Sequence, residues 1–237
     1  MTSPIAAYDL GRIPYRASLE FQRRAVSARA VNAAPDAIYF AEHEPVLTVG
    51  RAGRAESLRA SEALLRARGV EVVPVERGGD ITYHGPGQII AYPILALSDL
   101  PKGRDLHRYL RDLEEVLITT LGSYGIVAGR RPPYTGVWVG DRKVAAIGVA
   151  VRRWITFHGF ALNVDPDLGH FDWIHPCGIR DLGVTSMRSL LGAAPLRSEI
   201  LGRLRESFAR VWDRPVVERP WPASEDPLET GVAPCLM

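Results

Sequence analysis

Only two cysteines, Cys177 and Cys235, occur in the 237 residues. Cys235 sits in a Pro-rich end and nothing marks an oxidising compartment, so a disulfide-built scaffold is excluded. No apolar run approaches the roughly 18 residues that a bilayer-spanning helix needs. Charge of one sign is missing as well. Lys and Arg number 29 against 27 Asp and Glu, a net +2, which gives no pull toward nucleic acid or a membrane surface. The stretch from Met1 to Leu10 lacks the charged-then-apolar plan of a signal peptide, and a reduced, cytoplasmic setting is expected. Internal repeats and credible domain linkers are also wanting. What remains is an ordinary globular composition, 46% hydrophobic, long enough for one large domain. The expected organisation is a single domain over residues 1–214 and a loosely held Pro-rich tail over 215–237.

The stretch that organises the chain is Arg77-Gly78-Gly79-Asp80-Ile81-Thr82-Tyr83-His84-Gly85-Pro86-Gly87-Gln88. Four glycines lie between an apolar run ending at Val75 and another opening at Ile89. Glycine permits backbone angles and close approaches that a Cβ forbids, so such a loop lets a ligand touch main chain. Polar residues embedded among the glycines favour a site over a plain hairpin turn.

Around this loop, Ile5 to Tyr8 reads as a strand and Tyr15 to Ala30 as an amphipathic helix. Ala37 to Ala41 and Val46 to Val49 read as two strands of a hairpin, with Pro45 kept out of the ladder. Gly50 to Arg54 is a second Gly/Arg loop that reads as a solvated turn ahead of an anion-binding one. Ser61 is an expected N-cap for a helix to Arg68, stopped by Gly69. Val70 to Val75 and Ile89 to Leu95 are the strands flanking the Gly-rich loop. Leu106, Leu110, Leu113, Leu117 and Leu121 recur at helical spacing and predict a helix over 104–124, stopped by Gly125. Val137 to Val139, Lys143 to Val151 and Trp154 to Asn163 are strand-like, the first two joined by a tight turn at Gly140-Asp141-Arg142. Asp165 to Ile179 reads as irregular, and Arg197 to Trp212 as a last helix. Strands in adjacent pairs with few βαβ units predict an α+β fold with a mixed, mostly antiparallel sheet packed with helices.

Three further stretches carry chemistry. Pro176-Cys177-Gly178 restricts the chain before a thiol and frees it after, which suits a cleft edge. On residue type alone an inert buried thiol is the usual case for Cys177, with a nucleophile as the other reading. His170, His175 and Cys177 show neither Cys-x-x-Cys nor His-x-x-x-His spacing, so no metal is expected. Lys143 opens the run Lys143-Val144-Ala145-Ala146-Ile147-Gly148, whose small residues leave room beside the backbone, although many lysines at strand starts are merely solvated. His158-Gly159-Phe160-Ala161 repeats the pairing of a polar residue with glycine.

In order and spacing, these stretches resemble the lipoyl(octanoyl) transferases of the biotin/lipoate protein ligase superfamily. The resemblance rests on the run at 77–88, the strand from Lys143 to Gly148, His158-Gly159 and Pro176-Cys177-Gly178. It implies a biotin/lipoate ligase-like catalytic domain that moves an octanoyl group from octanoyl-acyl carrier protein to a lysine of apo lipoyl domains. The acceptors implied are those of the 2-oxoacid dehydrogenase complexes and the glycine cleavage H protein. It further implies that Cys177 carries the acyl group as a thioester and that Lys143 lowers the thiol's pKa and serves the second half-reaction. Substrate would be bound by Arg77, Gly78, Gly79, Asp80, Ile81, Thr82, Tyr83 and His84, by Ala146, Ile147 and Gly148, and by Gly159, Phe160 and Ala161. His84 fits either a polar contact to the carbonyl or thiol or a structural bond within its loop. Backbone N–H groups at Gly78-Gly79 or at Cys177-Gly178 would stabilise the oxyanion. No cofactor is implied, because thioester exchange is nearly neutral and aminolysis runs downhill.

An ATP-dependent lipoate or biotin ligase is the nearest alternative on a similar scaffold, but it needs no nucleophilic thiol. A non-catalytic carrier-binding module would have no use for both Lys143 and Cys177. A nucleic-acid role would want a helix-turn-helix ahead of the Ile5 strand, where there is no room for one.

Overall fold

The computed structural model describes residues 3–101, 103–175 and 183–221. In chain order its strands and helices are β1 (Ile5–Arg12), α1 (Tyr15–Ala30), β2 (Ala37–Glu42), β3 (Val46–Val49), α2 (Glu62–Ala67), β4 (Glu71–Pro74), β5 (Ile81–His84), β6 (Gln88–Ile94) and α3 (Leu106–Gly122). There follow β7 (Gly129–Arg131), β8 (Tyr134–Val139), β9 (Arg142–Arg152), β10 (Ile155–Asn163), β11 (Gly183–Val184), α4 (Met187–Leu191), α5 (Arg197–Trp212) and β12 (Val216–Glu218). The main sheet runs β12-β1-β2-β6-β10-β9-β8-β7, with β11 added to β9, and a smaller sheet runs β4-β3-β5. From β2 to β7 the pairings are antiparallel, whereas β12-β1, β1-β2 and β11-β9 are parallel. The fold is therefore α+β with a mixed, largely antiparallel sheet.

The leucine stripe of α3 does what its spacing predicts. Leu113, Leu117 and Leu121 are wholly buried and pack with Leu204, Phe208 and Trp212 of α5 on one face of the main sheet. Asp105 caps the helix by accepting from the Arg108 N–H at 2.9 Å, so Arg104 stays outside it. The opposite face is covered by α1, through Phe21, Ala25 and Val26 against Tyr39, Ile90 and Phe157. Ser61 caps α2 through the Leu64 N–H. The β9–β10 hairpin turns at Arg153 and Trp154, both at positive φ, so Trp154 leaves the expected strand and β10 begins at Ile155.

Two expectations fail here. The strands β2 and β3 do not form a hairpin. β2 lies between β1 and β6 in the main sheet, and β3 between β4 and β5 in the small one. The link at Glu42–Pro45 is a crossover, anchored where His43 Nδ1 donates to the Ile13 carbonyl at 2.8 Å and Nε2 accepts from the Tyr92 hydroxyl at 2.6 Å. A local alternation cannot distinguish a partner next door from partners farther along the chain. The Gly-rich stretch is also not one loop. Ile81 to His84 has the β-branched and aromatic residues of a strand, and pairs antiparallel to β3 as β5, splitting the stretch into two turns. Within the expected tail, β12 pairs with Ile5–Ala7, and Trp221 packs edge-on against Tyr8, Phe21 and Tyr39.

Candidate active site

A cavity of about 390 Å³ lies between the main sheet and the small sheet with its 77–80 turn. Its walls bring together Arg77, Gly78, Gly79, Asp80, Ile81, Thr82, His84, Lys143, Ala146, Ile147, Gly148, Gly159, Phe160 and Ala161. Of the expected site residues, Tyr83 does not line it. Tyr83 packs in a cluster with Ile81 and Phe171, which do line the cavity, while its own hydroxyl lies 2.8 Å from His170 Nδ1. Cys177 lies outside the described residues, as does Gly178.

Close backbone approach builds one wall. Gly159 faces Gly148 across the β9–β10 ladder. A Cβ on Gly159 would sit 2.1 Å from the Ala91 carbonyl oxygen, and one on Gly148 would sit 2.9 Å from Arg77 Cδ. Arg77 is buried along this wall. Its Nη2 donates to the Thr48 carbonyl at 2.7 Å and to Thr48 Oγ1 at 2.8 Å, and its Nη1 donates to the Gly78 carbonyl at 3.0 Å. The guanidinium thus clamps the 77–80 turn to β3. Asp80 accepts from Ser57 Oγ at 2.5 Å and from the Arg54 N–H at 3.3 Å, so its carboxylate fixes the neighbouring loop. The Gly78 N–H, expected as an oxyanion donor, instead donates to the Val149 carbonyl at 2.9 Å.

Lys143 is only 9% exposed. Its Nζ lies 4.8 Å from the centre of the Trp138 ring. Gly136 lies beside the lysine stem, where a Cβ would sit at ordinary contact distance from Lys143 Cε, 3.5 Å, but would meet the Ala145 carbonyl oxygen at 2.8 Å. On the other edge of β9, Gly183 and Val184 pair with Arg142 and Lys143, so the chain re-enters the described structure beside this lysine.

The rest of the cavity mixes apolar side chains, Leu106, Leu110 and Val184 among them, with neutral polar groups that the sequence reading did not assign. Tyr15 stacks on His84 at 5.9 Å, and Gln88, Ile90 and Tyr92 present alternate positions of β6 to the cavity. That period of two was the signal available in the sequence. Burial holds His84 well below its ordinary pKa, reinforced by His43 and Arg77. Burial likewise brings His43 down to about 4 and, together with Arg77, His158 down to about 3. Burial pushes Tyr15 up to about 12. His158 is turned onto this face by a left-handed φ of 55°, its N–H donating to Gln22 Oε1 of α1 at 2.9 Å. Near neutral pH these rings are uncharged, and Arg77 and Lys143 are the cations of the wall. Such a lining suits an aliphatic chain with a reactive polar end. Among the described residues no three His, Cys, Asp or Glu side chains gather as a metal site, and no helix is long and apolar enough to cross a membrane.

Residues 14–209 match the family described as the lipoyl protein ligase A/B catalytic domain. An octanoyltransferase of Solibacter usitatus is 49% identical over 205 residues, covering 86% of this chain and 91% of its own. One from Rubrobacter xylanophilus is 50% identical over 211 residues, covering 85% and 94%. Among solved structures, a lipoate-protein ligase A bound with ATP superposes with a TM-score of 0.78 at 17% identity, covering 95% of this chain and 92% of that one. A bipartite lipoate protein ligase from Thermoplasma acidophilum, described together with its E2 lipoyl domain, gives 0.75 at 17% identity, covering 95% and 90%. At those identities the superpositions speak for the fold alone. A biotin protein ligase from Aquifex aeolicus shares it more loosely, at a TM-score of 0.54.

Proposed function

This chain belongs to the lipoyl protein ligase A/B catalytic-domain family, among its octanoyltransferases, and from that premise we propose a two-step acyl transfer. An octanoyl group leaves the thioester of acyl carrier protein, rests on Cys177, and ends as an amide on a lysine of an apo lipoyl domain. The lipoyl domains of 2-oxoacid dehydrogenase complexes and the glycine cleavage H protein are the acceptors, and the cytoplasm is the setting. The observation that carries this reading is the placement of Lys143. A buried cation stands on the wall of the cavity, beside the point where the chain returns six residues after Cys177.

In the first step the Cys177 thiolate attacks the donor carbonyl, and collapse of the tetrahedral oxyanion expels the carrier's sulfur, which takes a proton from the Lys143 ammonium to leave as a thiol and so leaves that amine neutral for the second step. A free thiol with a pKa of about 8.5 is only a few per cent ionised at neutral pH, and the Lys143 ammonium raises that share. In the second step the acceptor amine attacks the Cys177 thioester, neutral Lys143 takes the amine's proton, and the Cys177 thiolate leaves. The octanoyl chain is held in the cavity by apolar burial, worth roughly 0.8 kcal/mol per CH₂. Arg77, Gly78, Gly79, Asp80, Ile81, Thr82, Tyr83 and His84 form or brace its first wall. Ala146, Ile147, Gly148, Gly159, Phe160 and Ala161 form the second.

Incubation with octanoyl-acyl carrier protein, without ATP, followed by intact-mass measurement tests the proposal. One octanoyl increment, labile to hydroxylamine and lost in Cys177→Ala, is the expected result. Acceptor labelling that needs free octanoate and ATP would replace this reading with that of a ligase.

A further inference from the structure

Gln88, Asn163, Thr185 and Lys143, buried and from four different segments, are joined by a directional chain of hydrogen bonds. Gln88 Oε1 accepts from the Gly85 N–H at 3.2 Å, which leaves Gln88 Nε2 to donate to Asn163 Oδ1 at 2.8 Å. Nε2 also approaches the Tyr83 carbonyl at 3.4 Å. With its oxygen occupied, Asn163 donates through Nδ2 to the Thr185 carbonyl at 3.0 Å. The Thr185 N–H then donates to the Lys143 carbonyl at 3.0 Å. Gln88 is 1% exposed and Asn163 4%, and both line the cavity. Neither amide can be reversed. A flip would set donor against donor at Gly85 or acceptor against acceptor at Thr185. Gln88 and Asn163 are also paired residues at the end of the β6–β10 ladder, so backbone register fixes their meeting.

The structure assigns to Gln88 and Asn163 a positioning role in the acyl transfer: they lock the segment re-entering at Gly183–Thr185 against β9 and so fix where Lys143 stands. The role rests on the reading of Lys143 given above. Neither amide touches the reacting atoms. The geometry argues against mere core filling, because an apolar pair would fill the same space without setting the position of Thr185. An Asn163→Asp change keeps the volume but turns a carboxylate oxygen on the Thr185 carbonyl, breaking the chain at one link.

The test measures steady-state octanoyl transfer from the carrier by Gln88→Met, Asn163→Asp and the double variant, with melting curves for each. A misplaced general base costs rate, so kcat should fall roughly ten- to hundredfold with KM changed by less than about twofold. The double variant should be no slower than the worse single, because both act through one chain. The acid limb of the kcat/KM profile should also move to higher pH in both singles, which loss of stability alone does not produce. If Asn163→Asp fails to fold, Gln88→Met tests the same chain from its other end. Unchanged kcat in a folded variant, losses that multiply, or an unmoved pH limb would overturn the assignment. A wild-type protein that transfers nothing from the carrier would sink the function and this role together, whereas active wild type with indifferent variants sinks the role alone.

Discussion

Lys143 holds its amine 4.8 Å from the centroid of Trp138, a residue five positions earlier on the neighbouring strand. The indole face attracts the charged form and gives a flexible side chain a defined resting place. Such a contact contributes about 0.5–1 kcal/mol, more where water is kept out. Trp138→Leu should therefore slow octanoyl transfer roughly two- to fivefold, while Trp138→Phe, which keeps an aromatic face, should lose less. Stopped-flow loading rates for the two variants separate a ring-face effect from simple loss of volume. Equal losses in both would remove the indole from the account.

Buried neutral imidazoles make stability depend on pH. Burial lowers the His43 pKa from 6.5 to about 4, opposed by its bond to the Ile13 carbonyl and by Glu42. Since the folded value lies below the unfolded one, the unfolded chain binds more protons between them. The contribution is fully present above about pH 6.5 and is lost as pH falls toward 4. Each such ring adds up to about 1.4 kcal/mol per pH unit across its window, and His158 and His84 act in the same sense. Urea midpoints at pH 7 and pH 5 should differ accordingly, with a shallower slope in His43→Gln. An identical slope in that variant would mean that the ring titrates outside this window.

How far the sequence could be read follows from what each signal is made of. The stripe of α3 and the N-cap of α2 are set within a few residues, and both form where periodicity and capping chemistry place them. The β2–β3 hairpin failed because strand partners lie elsewhere in the chain. β12 was missed for the same reason, its three residues pairing with Ile5–Ala7. The runs 77–84 (Tyr83 apart), 146–148 and 159–161 are stretches of backbone, and they meet around one cavity only because the small sheet folds over β9 and β10. Side-chain direction was harder to read. Nothing in the residues around His158 announces a left-handed φ, since that conformation depends on Gln22, far away on α1. Arg77 and Asp80 looked like ligand-binding charges, yet each spends its hydrogen bonds on neighbouring protein segments.

Asp36 joins three parts of the chain at a buried point. Its carboxylate accepts from Arg29 Nε at 2.7 Å, from Arg214 Nη1 at 2.5 Å and from the Ala96 N–H at 2.9 Å. Arg214 also donates to the Ser3 carbonyl at 2.6 Å, drawing the end of α5 toward β1. Removing one partner from a buried ion pair strands the other, at a cost of about 3–5 kcal/mol. Asp36→Ala should lose this much in chemical denaturation. Asp36→Asn, which can still accept from Ala96, should lose less. A loss below about 1 kcal/mol for the alanine would place the clasp among weak surface pairs.

Gly148 and Gly159 face each other across β9 and β10, yet alanine should harm them differently. On Gly159 the new methyl meets the Ala91 carbonyl oxygen at 2.1 Å, a backbone atom inside a paired strand. Relief requires moving β6 or β10, so overpacking should cost about 3 kcal/mol or more. On Gly148 the nearest atom is Arg77 Cδ at 2.9 Å, a side-chain atom that can give way only by straining the arginine's bonds to Thr48, followed by the Gly78 carbonyl at 3.0 Å. Stability should fall by only about 1 kcal/mol. Arg77 would, however, be pushed from Thr48, loosening the turn that walls the cavity, and octanoyl transfer should drop roughly tenfold. Melting curves and transfer rates on the two variants thus give opposite rankings, Gly159→Ala being worse in stability and Gly148→Ala losing more activity than its stability explains. If Gly148→Ala lost stability alone, Arg77 would be bracing the fold rather than shaping the cavity.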